Sequence, residues 1–66
     1  MSGWFQNYRY EWIREMIDIY GFINRDHLRR KFGISMPQAA EDLKQVQLRW
    51  PDLVTYNLSS KRYERT

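Results

Sequence analysis

The chain has no cysteine, a single histidine, two prolines and three glycines. Without cysteine there is no disulfide framework and no thiolate metal site. A metal site needs several ligands, and His27 stands in no carboxylate cluster with ligand spacing, so no metal is expected. On a short helix His27 reads as a surface or packing residue. No uninterrupted apolar run reaches ten residues, so neither a membrane span nor a secretory leader is expected. The expected compartment is the cytoplasm, of a bacterial cell or a phage-infected host. No glycine-rich phosphate loop follows a strand, and Ser35, His27 and the aspartates form no recognisable nucleophilic set. The reading is therefore of a protein that is not an enzyme and needs no cofactor.

What remains is aromatic bulk and positive charge. Three Trp, five Tyr and three Phe stand among 66 residues, and the net charge is +3. A chain of this size buries only about 60% of its unfolded surface. Aromatic side chains, each burying roughly 150–250 Å², supply the packing that missing disulfides cannot. The pI near 9.5 favours anionic partners without specifying one.

Periodicity divides the chain into four segments. From about residue 5 to 20, Phe5, Tyr8, Trp12, Met16 and Ile19 form one helical stripe, widened by Ile13 and Tyr20. Tyr10 and Ile17 lie off that stripe and, with Trp4, are candidates for a homodimer contact. Gly21 stops the helix. A second helix, about 25–32, is capped by Asn24 and buries Leu28 and Phe32, with Ile23 covering their start. Gly33 ends it with positive φ. A third helix, about 36–49, opens at Ser35, which with Gln38 three residues on reads as a capping box. Pro37 fits the first turn, where N–H groups have no intrahelical partner. Ala39, Leu43, Val46 and Trp50 form its buried stripe, and Pro51 prevents its continuation. Beyond Pro51 the period becomes that of strands: residues 53–56 and 61–64 flank Asn57-Leu-Ser-Ser60 as a hairpin spanning about 53–64.

Helix, helix, a four-residue joint Phe32-Gly-Ile-Ser35, helix and hairpin make a mainly α fold with a small β-hairpin. This is the layout of a single three-helix winged helix-turn-helix over residues 1–66. In that layout the third helix enters the major groove of DNA. Its non-core side carries Gln38, Glu41 and Gln45, flanked by Ser35, Met36, Pro37 and Lys44. Gln38 has the chemistry for adenine N6 and N7, and Glu41 for cytosine N4; capping is an equally open role for Gln38. Arg25, Arg29, Arg30 and Lys31 fall where the preceding helix crosses the phosphate backbone. Ser59, Ser60, Lys61 and Arg62 place the wing tip on an adjacent groove or its phosphates. A solvated helix face and a soluble hairpin turn are the plainer readings of these two basic groups.

Tyr20-Gly-Phe-Ile-Asn-Arg-Asp-His-Leu and Phe32-Gly-Ile-Ser-Met-Pro-Gln-Ala-Ala-Glu-Asp-Leu resemble the N-terminal winged helix-turn-helix of bacterial WYL-domain regulators, which is related to the DeoR-type winged helix. Val54-Thr-Tyr-Asn57 and Lys61-Arg-Tyr63 resemble that family's wing. The resemblance implies a dimeric transcription factor, commonly a repressor reading an inverted repeat, with double-stranded DNA as its partner. It also implies a supporting role for Asp42 in the Asp-Leu pair. Those regulators carry ligand-sensing domains after the wing, and these 66 residues contain no counterpart. At Met36, Ala40 and Glu41 the family commonly has polar or basic residues. This departure keeps open a second reading, a winged-helix protein-interaction module such as a phage-encoded inhibitor or adaptor.

Overall fold

A computed structural model of the chain describes residues 2–66. Its elements are α1 (Ser2–Tyr20), β1 (Phe22–Ile23), α2 (Arg25–Phe32), α3 (Met36–Arg49), β2 (Val54–Asn57) and β3 (Arg62–Arg65). The three helices and small antiparallel sheet are those of a winged helix. No helix among the described residues is long and apolar enough to cross a membrane.

The helix ends follow from local chemistry. The Gly21 N–H donates to the Ile17 carbonyl at 2.8 Å, and its φ of 91° turns the chain out of α1. At the start of α2, Asn24 Oδ1 accepts from the His27 N–H at 3.1 Å, while His27 Nδ1 accepts from the Asn24 N–H at 3.3 Å. This reciprocal box, with histidine in the usual place of glutamate, gives the lone histidine a structural task. Gly33 closes α2 at φ 65°, its N–H donating to Arg29 O. Ser35 Oγ accepts from the Gln38 N–H at 3.2 Å, but the Gln38 side chain does not return to Ser35. Only half of the expected capping box on α3 exists.

The core is built from short branched side chains. Ile13 and Ile17 of α1, Ile23 of β1, Leu28 of α2, Leu43 and Val46 of α3, and Val54 of β2 are almost fully buried. Each stabilises the fold by about 1.5–3 kcal/mol relative to exposure. Tyr10 and Ala39 complete the cluster, with Trp12, Met16, Phe32, Ile34, Trp50 and Tyr63 packed around it.

This core corrects the reading of α1. Tyr10 is 2% and Ile17 1% exposed, so neither is available for a dimer contact. Most of the stripe taken as core is instead open: Phe5, Tyr8, Ile19 and Tyr20 are exposed, and Trp12 and Met16 are half-buried. α1 is apolar on two neighbouring faces. Its Tyr10–Ile13–Ile17 face meets α3 and the sheet, while the face of Phe5, Tyr8 and Trp12 meets chiefly one residue of α2. The rings of Phe5, Tyr8 and Trp12 stand edge-on to Phe32 at 6.1, 6.0 and 5.3 Å.

One strand went unforeseen. β1 pairs antiparallel with β3, giving sheet order β1-β3-β2 with Ile23 opposite Tyr63 and Tyr56 opposite Tyr63. The hairpin strands lie one residue later than expected, and Leu53 belongs to the preceding turn. The Arg65 N–H donates to Gly21 O and the Thr66 N–H to Leu53 O, tying the end of β3 into the domain.

Candidate nucleic-acid interface

The helix-turn-helix is locked by a charge pair between distant segments. Arg9 of α1 donates from Nε to Asp42 Oδ2 at 2.6 Å and from Nη2 to Oδ1 at 3.1 Å. Asp42 on α3 is fully buried and Arg9 nearly so. The hydrogen bond and charge of Asp42 hold the Arg9 guanidinium even more firmly protonated than usual. Gln38 adds a third bond, Nε2 to Asp42 Oδ1 at 2.8 Å. The first turns of α3 are thereby fixed against α1.

With Ala39, Asp42, Leu43 and Val46 turned inward, Pro37, Ala40, Glu41 and Lys44 share the opposite face at helical spacing. Pro37, Glu41 and Lys44 are exposed and Ala40 is half-buried. Met36 opens this face at 41% exposure and Leu48 closes it at 65%. Gln45 is half-buried beside it, its Nε2 donating to Glu41 Oε1 over a longer 3.4 Å. Only Ala40 and Gln45 on this side of α3 are partly covered.

α2 presents four cations and one carboxylate. Asp26 binds Arg29 through Nη2 at 2.9 Å and Arg30 through Nε at 3.2 Å. The Arg29 hydrogen bond, with the nearby charges, holds Asp26 below the ordinary aspartate range. Arg25, in contrast, has no ion pair among the described residues. With Ala40, Tyr56 and Tyr63 it lines a notch of about 160 Å³ between α2, α3 and the hairpin. Burial pushes the Tyr63 phenol above its usual range. Lys31 leaves the set, its Nζ lying 5.8 Å from the centre of the Trp12 ring on α1.

The wing tip is internally braced. Asn57 Oδ1 accepts from the N–H groups of Ser59 and Ser60 at 2.8 and 3.1 Å, and Asn57 Nδ2 donates to Glu64 Oε1 at 2.9 Å. Ser60 Oγ and Arg62 Nε both donate to Glu64 Oε2, at 3.1 and 2.7 Å. The Arg62 hydrogen bond, followed by that of Asn57, holds the Glu64 carboxyl below the usual range. The Arg62 guanidinium also stacks over Phe22, 4.1 Å from the ring centre. Lys61 takes up the turn at φ 57°, and Leu58 at the tip is 81% exposed.

A helix free on its outer side, a basic helix crossing behind it and a braced hairpin beside it agree with the comparison to known proteins. The sequence profile of the BrxR transcriptional regulator winged helix-turn-helix domain matches residues 6–66. The chain belongs to the BrxR winged helix-turn-helix family. Two curated relatives, each described as DNA-binding transcriptional repressor CapW, one from Escherichia coli strain KTE188 and one from Escherichia coli, are 41% identical over 65 residues. The match covers 98% of this chain and 22% of each relative, so the chain spans about a fifth of their length.

In this BrxR-type domain the predicted contact residues do not all gather in one place. Met36, Pro37, Glu41 and Lys44 lie exposed on α3, and Arg25 stands beside the same helix and the hairpin. Ser35 is exposed but its hydroxyl is occupied as a cap. Gln38 and Gln45 are turned to partners within α3. Arg29, Arg30 and Ser60 keep their exposure, and Arg62 is half-buried, while all four share acidic partners. Sequence reasoning missed the Tyr56–Tyr63 pair, with rings 4.9 Å apart, and the Asn57–Glu64 brace. The tyrosines lay in β-prone runs, but only the register puts them side by side beneath Arg25. Among the described residues, no group of three or more histidines, cysteines or carboxylates is placed to hold a metal ion.

Proposed function

We propose that this domain binds double-stranded DNA as the reading head of a transcriptional repressor, with α3 in the major groove. The uncovered face of α3 carries this reading, flanked on one side by Arg25 and the wing and backed by a buried lock. The family match and the name of the CapW relatives point the same way. In the proposed complex Arg25, Arg29 and Arg30 meet phosphates, Lys44 meets a base or a phosphate, and Ser59 and Lys61 bring the wing onto the flanking backbone. The reading assigns no chemical reaction to the domain.

Homodimerisation is part of the same proposal. An inverted repeat has two-fold symmetry, and two copies would set their α3 helices about one turn, ~34 Å, apart. With Tyr10 and Ile17 in the core, the apolar surface that α1 offers to a second copy is Trp4, Phe5, Tyr8, Ile19 and Tyr20.

The exposed Met36 and Leu48 favour the competing reading, in which the same face docks on a protein. A titration of labelled duplexes across a salt series decides between them. DNA binding gives an affinity that falls linearly in log–log form, with a slope of roughly −0.9 per phosphate contact. Failure to retain any duplex at low salt overturns the DNA reading.

A further inference from the structure

Gln38 and Gln45, the two glutamines on the outer side of α3 by sequence, both give their amide donors to acidic side chains of the same helix, Gln38 at 2.8 Å and Gln45 over a longer, exposed 3.4 Å. Gln38 Nε2 is 2.8 Å from Asp42 Oδ1, and a carboxylate only accepts. The donor end of this amide therefore faces the buried Arg9–Asp42 pair. Gln45 gives its donor end to Glu41. Of the backbone after Met36 at the start of α3, little is left to donate. Pro37 has no N–H, the Gln38 N–H is taken by Ser35 Oγ, and the Ala39 N–H by Ser35 O. Beside Glu41, the first turns of α3 present the exposed thioether of Met36 and ring of Pro37 and the half-buried methyl of Ala40.

A base pair displays one apolar feature in the major groove, the C5-methyl of thymine. We propose that Met36, Pro37 and Ala40 read thymine methyl groups, so that sequence preference rests on methyl contact and not on glutamine amides. The inference rests on the DNA reading above. Ala40 is small and lies at the edge of the notch it shares with Arg25, Tyr56 and Tyr63. A methyl seated against Ala40 thus has a cation close by for the adjoining backbone. Met36 is unbranched and adapts to the shape it meets. Glu41 beside them only accepts, so it is repelled by the O6 and N7 of guanine and matched by an amino group on adenine or cytosine.

The test begins with the unaltered protein. Duplexes are selected from a random pool and resynthesised with deoxyuridine replacing thymine one position at a time, which removes only the methyl. Each contacted methyl is expected to weaken binding about fourfold, the effect of exposing one methylene-sized group, with the salt slope unchanged. Met36→Ala should shrink that penalty at one position, and Gln38→Ala should select the same sequences as the parent. Deoxyuridine tolerated at every position, with a base preference erased by Gln38→Ala, overturns the proposal while leaving DNA binding intact. Selection that enriches no sequence and retains no duplex at low salt overturns the DNA reading itself, and this inference with it.

Discussion

Replacing Asp42 by alanine removes the acceptor of three hydrogen bonds at once: two from Arg9, at 2.6 and 3.1 Å, and one from Gln38 at 2.8 Å. Arg9 is only 7% exposed, so its guanidinium would be left buried without a counter-charge. Breaking a buried pair from one side costs about 3–5 kcal/mol. At roughly 0.05–0.15 kcal/mol per residue, a chain of this length has a total stability of about 3–10 kcal/mol. Asp42→Ala should therefore consume about a third or more of the stability, and at the lower end of that range it would unfold the domain. The paired change Arg9→Met with Asp42→Leu removes both charges and fills the same space, and it should recover most of the loss. Urea titration followed by far-UV circular dichroism and tryptophan fluorescence measures all three proteins on one scale. A cost below about 1 kcal/mol for Asp42→Ala, or a double variant no better than the single one, would refute the argument that this pair locks α3 to α1.

Three other outcomes follow from the geometry. Gly33→Ala meets open space but must hold φ at 65°, so thermal denaturation should register a cost of about 1 kcal/mol, and Gly33→Asn a smaller one. Asp26→Asn frees Arg29 and Arg30 from their shared carboxylate and removes a negative charge from α2. It should tighten duplex binding at low salt, and unchanged or weaker binding would remove α2 from the interface. The carboxyls of Asp26 and Glu64 are both held below their ordinary range by arginine hydrogen bonds. Their contribution is complete only once the pH is above the ordinary values of 3.8 for Asp and 4.5 for Glu, and is lost as pH falls through their lower folded values. The melting temperature should fall in that acid window, and Glu64→Gln should flatten the fall; an identical pH profile in that variant would rule out the brace.

Much of the architecture was legible because it is decided within a few residues. Asn24, Gly33, Ser35 and Pro37 carry their instructions in backbone preference and in hydrogen bonds reaching three or four positions along the chain. The buried stripe of α3 was legible too, since Ala39, Leu43 and Val46 leave one inward face. The interface was harder to read. Gln38 satisfies every local rule for a base reader, yet its amide is claimed by Asp42, whose charge is in turn fixed by Arg9 from 33 positions away. Likewise Arg62 is a basic wing residue by sequence, and only the strand geometry delivers it to Glu64 and Phe22.

By itself, then, the order of residues determined the number of helices, the end of α1, the bounds of α2 and α3, the joint between them, and the presence of a hairpin, while α1 begins earlier, at Ser2, than its periodicity indicated. Those depend on φ preferences and short-range hydrogen bonds that act wherever the segment is placed. Tertiary structure alone decided which of two apolar faces of α1 became core, that Phe22–Ile23 joined the sheet, and which polar side chains of α3 remain free. Burial is a competition between surfaces, and its outcome depends on the shape each face meets. At α1, the face of Tyr10, Ile13 and Ile17 closed on α3 and the sheet, and the stripe of Phe5, Tyr8 and Trp12 was left to clasp Phe32 and face outward.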